Sequence, residues 1–305
     1  MQKVLAIVGP TAVGKTALSL NLAHQFNGEI ISGDSMQVYR HLNVGTAKIM
    51  KNEMQGIPHH LINIRDVYER YSAANFVNDA KREINEIKSR NRLPIIVGGT
   101  GFYLQALLND LELGGNHYSN SDDRVRLKQY AEKNGKQKLW QRLYQIDPKS
   151  AKIIPVNNKR RVIRALEVCK QTDHLFSDQK QHKPLFNSFL IGLNTDRQLL
   201  YQRINYRVDV MVKSGLLDEA KWLYQQGGVN LPAGKGIGYR ELDSYFNHSN
   251  ELNRSIDLIK RDSRHYAKRQ LTWFRNKMNV NWYDLIKNPK EINQIQNDVK
   301  KWLSE

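Results

Sequence analysis

The residues with the clearest chemical purpose lie near the N-terminus. Gly9-Pro10-Thr11-Ala12-Val13-Gly14-Lys15-Thr16 has the spacing G-x-x-x-x-G-K-[ST], a loop whose backbone N–H groups cradle phosphate oxygens. Gly14 lets the backbone approach the anion. Lys15 adds a point charge, and the Thr16 hydroxyl is placed to ligate Mg²⁺. An apolar stretch precedes the motif and a helical pattern follows it, which is the context such a loop requires. The loop names a phosphate-bearing ligand but not a reaction. ATPases and helicases usually add a strand ending in paired acids. The nearest counterpart is Ile30-Ile31-Ser32-Gly33-Asp34, in which the carboxylate is displaced by a polar dipeptide. Asp34 is therefore expected to act on something other than hydrolytic water.

These residues need a scaffold, and the flanking patterns supply one. Val4–Val8, Glu29–Ser32, Leu93–Val97 and Phe189–Leu193 are short apolar runs suited to buried parallel strands. Helical patterns over Lys15–Phe26 and Ala73–Arg90 separate them. Strands alternating with helices predict an α/β fold, a P-loop NTPase-like parallel sheet flanked by helices. Ligands in such sheets bind at the carboxyl ends of the strands, so Gly9, Asp34 and Gly98 should share one edge. Strand signals cease from about residue 113 to 185, which predicts an inserted, all-helical subdomain. Its first part is the polar stretch from Gly114 to Asp123. The core is then 1–112 with 186–305, and its C-terminal part is helical and basic.

Composition narrows the partners. The 305 residues carry 47 Lys and Arg against 30 Asp and Glu, a formal charge of +17, which attracts polyanions. Lys260–Lys277 holds seven basic residues and one acid, Asp262. At about 100° per residue, Arg261, Arg264, Lys268 and Arg275 fall within roughly 60° of one another, a stripe that can track a phosphate backbone. Lys149–Lys170 is similar, with Glu167 as its one acid, and the two segments are expected to wall one cleft. No apolar run is long enough to span a membrane. The single cysteine, Cys169, cannot form an internal disulfide and reads as a structural thiol, so the protein is expected to be cytoplasmic. His59 and His60 lack metal-ligand spacing and read as structural. Nothing demands more than a monomer.

Further motifs occur in a fixed order: Asp34-Ser35-Met36-Gln37-Val38-Tyr39, Gly56-Ile57-Pro58-His59-His60-Leu61, Gly98-Gly99-Thr100-Gly101-Phe102-Tyr103, Arg161-Val162-Ile163-Arg164-Ala165-Leu166-Glu167-Val168, Gly236-Ile237-Gly238-Tyr239-Arg240-Glu241 and Tyr266–Arg275. With the phosphate loop they resemble the tRNA dimethylallyltransferases over about residues 3 to 285. The resemblance implies transfer of a dimethylallyl group from dimethylallyl diphosphate to N6 of an adenosine beside the anticodon, with tRNA as partner and Mg²⁺ as cofactor. It implies that the loop Gly9, Pro10, Thr11, Ala12, Val13, Gly14, Lys15 and Thr16 holds a prenyl diphosphate rather than ATP. Asp34 matches the family's general base, with Lys15, Thr16, Thr100 and Arg124 completing the catalytic set; Arg126 is the alternative to Arg124. The anticodon stem-loop would meet Asp34, Ser35, Met36, Gln37, Thr100, Arg124, Arg160, Arg161, Arg164, Gly238, Tyr239, Arg240, Arg264, Lys268, Arg269 and Arg275. The lone cysteine excludes the C-terminal zinc finger of eukaryotic relatives. A P-loop kinase of a small metabolite is the competing reading, and it leaves both basic segments without a purpose.

Overall fold

A computed structural model describes residues 1–111, 113, 122–172, 174–178 and 184–305; most of the polar stretch from Gly114 to Asp123 lies outside the described residues. The chain forms two compact units, one of Met1–Leu108 with Pro184–Glu305 and one of Asn109–Lys183.

The first unit is built on a six-stranded parallel sheet in the order β3-β2-β4-β1-β5-β6. Its strands are β1 (Gln2–Val8), β2 (Gly28–Ser32), β3 (His59–His60), β4 (Leu93–Gly98), β5 (Phe186–Leu193) and β6 (Asn281–Tyr283). Parallel neighbours need a long crossover, which α1 (Lys15–Gln25) and α2 (Ala73–Ser89) supply. The predicted α/β class and its four longer strands are therefore borne out. β3 and β6, two and three residues long, escaped the sequence reading because periodicity needs a longer window.

Register does the positioning. β1 pairs with β4 so that Val8 faces Gly98, and β2 pairs with β4 so that Ser32 faces Val97. The turns after three adjacent strands therefore emerge side by side and carry Gly9, Asp34 and Thr100 to one edge. Gly98 is required by this crowding, since a Cβ there would strike the Gly33 backbone. Leu5, Ile7, Ile95 and Ile191 pack beneath against Leu18 and Leu22 of α1.

A second cluster fixes the segment after β2. Val38, Tyr39 and Leu42 pack against Val208 of α7 (Arg197–Lys213), Leu216 of α8 (Leu216–Gln225), Leu242 of α9 (Tyr239–Phe246) and Ile259 of α10 (Leu252–Lys277). The C-terminal helices thus clamp a long irregular stretch that has few ladder hydrogen bonds of its own. Phe274 of α10 is fully buried, while Trp273 packs against Phe102 of α3 (Gly101–Leu108). α11 (Glu291–Ser304) adds Ile295, Val299 and Trp302 to the sheet core.

The other unit contains α4 (Asp122–Ile146), α5 (Pro148–Ile153) and α6 (Lys159–Thr172). They close over Leu139, Leu143, Ile154 and Val162, and α4 breaks at Gly135, φ 81°. Asp147 caps α5, accepting hydrogen bonds from the Ser150 and Ser177 amides. Cys169 is half-buried on α6, and burial pushes its thiol pKa up.

One buried carboxylate ties the sheet edge together. Glu29 accepts hydrogen bonds from Arg90 at 2.8 and 3.0 Å, and His60 lies 2.7 Å away. His60 Nδ1 is also 3.0 Å from Glu83, and His59 Nδ1 bonds the Ile57 carbonyl, so both histidines are structural in this respect. Burial alone would raise the Glu29 pKa; the bonds from Arg90 and His60 outweigh it and hold the carboxyl below its usual range. Its stabilisation is therefore present above the ordinary glutamate pKa and is lost as pH falls through the lowered folded value. Glu29→Ala is expected to cost on the order of 2–3 kcal/mol at pH 7. In urea titrations at decreasing pH, the gap between variant and wild type should shrink.

Candidate active site

The phosphate loop has the backbone its motif demands. Gly9 lies at φ 142°, where a Cβ would meet the Leu193 carbonyl, and Gly14 begins α1 at φ 98°. Ala12, at φ 64°, is held by Arg203 Nε, which donates to its carbonyl at 2.9 Å. No acidic side chain occupies the first turn of α1, so its free N–H groups present an uncompensated positive end. Lys15 Nζ donates to the Gly9 and Pro10 carbonyls at 3.0 and 2.6 Å, and Thr16 is exposed beside it.

Gln270 of α10 joins this loop to its neighbour. Its Oε1 accepts from the Thr11 amide at 3.3 Å and its Nε2 donates to the Gly99 carbonyl at 3.0 Å. The Gly99 position has no room for a Cβ because Gln270 fills it. On the third turn, Asp34 Oδ1 accepts from the Met36 amide at 2.8 Å, closing an Asx turn. The Ser35 amide donates to Thr100 Oγ1 at 3.2 Å, and Thr100 also hydrogen-bonds Tyr266. Burial, aided by the Asp34 charge, pushes the Tyr266 hydroxyl up to about 12. Gln37 accepts from Ser32 Oγ at 2.9 Å and donates to the Thr46 carbonyl at 3.3 Å.

These groups line one cleft of about 630 Å³. The phosphate loop forms one wall, while Asp34, Met36 and Gln37 form another. Arg207 of α7 and Arg269 of α10 add to the polar lining, and Met36, Ile49, Val97, Val208, Met211 and Ile237 give it apolar surface. Desolvation, then the Arg207 charge, lowers the Lys15 pKa to about 7, against the raising influence of Asp34. Burial also lowers the Arg207 pKa, and Arg207 Nε has no hydrogen-bond partner among the described residues. Two cations and a carboxylate thus meet beside apolar surface, an arrangement suited to an anionic leaving group on a hydrocarbon.

The structure brings Thr11 to Thr16, Asp34 to Gln37, Gly238, Arg240 and Arg269 to the cleft; Gly9 and Pro10 meet it through the Lys15 ammonium, and Thr100 through Ser35 and Tyr266. Tyr239 is buried, its hydroxyl donating to Glu219 at 2.7 Å. Arg240 pairs with Glu241 and with Asp262, the latter at 2.6 Å. Arg264 donates to Asn205 at 2.6 Å, whereas Lys268 and Arg275 of α10 are exposed, the latter with its guanidinium over the Trp282 ring. In the helical unit, Arg160 and Arg161 are exposed. Arg124 Nε lies 2.8 Å from the buried Glu167, and Arg164 donates to the Leu113 carbonyl at 2.7 Å. Arg203, Arg207, Gln270 and Tyr266 received no role from the sequence. Tyr266 and Gln270 lay inside a quoted motif, but nothing local marked which way they point.

The family model described as IPP transferase matches residues 37–277. The tRNA dimethylallyltransferase of Limosilactobacillus reuteri is 56% identical over 305 residues, with 99% of each chain covered. That of Ligilactobacillus salivarius is 54% identical with the same coverage. The chain belongs to the tRNA dimethylallyltransferase family. Solved members share its fold. The full-length tRNA isopentenylpyrophosphate transferase of Bacillus halodurans is 47% identical, with a TM-score of 0.76 over 100% of this chain and 97% of that one. A eukaryotic dimethylallyltransferase acting on tRNA has a TM-score of 0.84 at 30% identity, covering 99% of this chain and 80% of that one. Membership makes the chain a prenyltransferase, and the kinase alternative is not favoured. Among the described residues no helix is long and apolar enough to cross a membrane.

The lowered Lys15 pKa has a measurable consequence. An anion in the loop favours the charged lysine, so binding near pH 8 should draw a proton from solution. Calorimetry with inorganic diphosphate in buffers of differing ionisation enthalpy is expected to show net proton uptake. Lys15→Arg, which stays charged, should reduce that uptake by as much as a single proton.

Proposed function

We propose that the protein transfers a dimethylallyl group from dimethylallyl diphosphate to N6 of the adenosine at position 37, next to the tRNA anticodon, and releases diphosphate. The observation that carries this reading is the cleft in which Lys15, Arg207 and Asp34 converge beside apolar surface. The new bond joins N6 to the allylic carbon while the bond from that carbon to the diphosphate oxygen breaks. Negative charge grows on the departing oxygen, and the loop amides, Lys15 and Arg207 are fixed donors aimed at it. The incoming amine must lose a proton as it bonds, and Asp34, held by its Asx turn, accepts it. Thr100 aligns the Asp34 turn through the Ser35 amide.

The donor set fits Mg²⁺ of the kind that a substrate brings with it. Among the described residues no three His, Cys, Asp or Glu side chains form a metal cluster. A magnesium ion here would take most of its oxygens from diphosphate and water, with the Thr16 hydroxyl as protein ligand. When bound it neutralises part of the leaving group's charge.

An adenine inside a stacked loop cannot reach Asp34, so the base must be extruded into the cleft. The exposed Lys268 and Arg275, with Arg261 and Arg264 on the same face of α10, serve to hold the anticodon stem-loop by its phosphates. Arg160 and Arg161 of the helical unit are proposed to do likewise, and Arg124 and Arg164 to shape that unit's RNA-facing surface through Glu167 and Leu113. A tRNA substrate supports a cytoplasmic site for the reaction.

Incubation with Mg²⁺, labelled dimethylallyl diphosphate and tRNA is expected to label adenosine 37; RNA that stays unlabelled overturns the reading. Asp34→Asn should lower kcat by about 10²–10⁴-fold while diphosphate binding persists. Lys268→Ala should weaken tRNA binding at every loop sequence and reduce the slope of log affinity against log salt by about 1.

A further inference from the structure

A lysine away from the phosphate loop is almost wholly buried. Lys48 is 6% exposed, and its ammonium donates to the Tyr39 carbonyl at 2.6 Å, Asn63 Oδ1 at 2.7 Å and Asn43 Oδ1 at 3.1 Å. Three N–H groups meet three acceptors, from three separate points of the irregular chain after β2. Burying a charge in this way is costly unless every donor is used, so the site is built around the cation.

The chain it holds carries the Asp34 turn and is strained. His41, Ala47 and Asn63 have φ values of 66°, 45° and 56°. Non-glycine backbone there is disfavoured, least so for asparagine, and persists only where surroundings dictate it. The restraint is tied directly to the cleft: Gln37 donates to the Thr46 carbonyl, and Gly45, Thr46 and Ala47 line the wall. From the other side, Glu219 accepts the Asn43, Val44 and Gly45 amides at 2.6, 2.9 and 2.8 Å. The segment is pinned from within by a cation and from outside by a carboxylate.

We propose that Lys48 is a positioning residue for prenyl transfer, its ammonium fixing the Asp34–Gln37 turn and the Thr46 wall against which the target base is held. This rests on the function proposed above. Lys48 touches no substrate; it acts through Gln37, Thr46 and the backbone from Tyr39 to Asn43. Its charge is also conditional. Burial lowers the Lys48 pKa to about 8, against the raising influence of the two carboxylates that face it, Glu219 and Asp34. Loss of a proton leaves two donors for three acceptors, and the segment loosens. Lys15 acts elsewhere, at the diphosphate itself, so loss of Lys48 should leave diphosphate affinity unchanged.

The test is Lys48→Met, with Asn63→Leu as a milder variant that deletes one acceptor. Inorganic diphosphate binding, measured by calorimetry, verifies that each variant keeps the phosphate loop folded. Lys48→Met is expected to lower kcat by about 10–100-fold, in the range of other positioning contacts, with the KM for dimethylallyl diphosphate within about twofold. Wild-type kcat should fall on an alkaline limb near pH 8 that Lys48→Met lacks and that Asn63→Leu moves to lower pH. Amide hydrogen exchange over residues 36–47 should quicken in both variants, and this readout stands even if wild-type protein fails to modify tRNA. Unchanged kcat, an unchanged alkaline limb or unchanged exchange overturns the assignment. Failure of wild-type protein to label tRNA overturns the functional reading instead.

Discussion

The structure is organised around the problem of holding two positive charges together in a desolvated cleft. Lys15 and Arg207 each lose pKa to burial, and each depresses or is depressed by its surroundings, with Asp34 the nearby carboxylate in both cases. Such a site is poorly satisfied by protein alone and gains most from a polyanion. The same desolvation makes each donor stronger once the anion arrives. The apolar lining supplied by Met36, Val208 and Ile237 keeps water from the cations and, under the proposed function, suits a hydrocarbon chain.

That arrangement places strict demands on the backbone. Three turns must emerge from adjacent parallel strands with no side chain between them, which is why Gly9 and Gly98 sit against neighbouring main chain. Gln270 then spans from the phosphate loop to the Gly99 carbonyl. The Asp34 turn is connected to the same frame through Ser35 and Thr100. Asp34 and the phosphate loop are thereby held in fixed relation by α10, the helix that also carries the exposed Lys268 and Arg275. Under the function proposed above, substrate chemistry and RNA docking would share this one helix.

Much of the fold was legible because burial on both faces leaves a continuous apolar run, as in Val4–Val8 and Leu93–Val97. β3 was not, since His59-His60 owes its strand character to Ile30 and Ile31 beside it rather than to its own pattern. Tyr239 and Arg240 stand after a glycine turn and read as free to meet RNA. Packing instead buries the tyrosine against Glu219 and commits the arginine to Glu241 and Asp262. Reading along a segment cannot foresee Glu219 or Asp262 as partners, because they lie 20 and 22 positions away.

The sequence by itself determined the phosphate loop, the strand-and-helix alternation, the excess of positive charge and the family, since each is written in local order and spacing. Only the tertiary structure decided which distant groups complete the site. Arg207 and Gln270 reach the cleft from α7 and α10, and Lys48 is buried by carbonyls and amides that its own neighbours in sequence and Asn63 supply. The physical reason is that desolvation and hydrogen-bond satisfaction are properties of an enclosed volume. No stretch of chain carries that volume until the sheet, the clamped segment after β2 and the C-terminal helices have packed around it.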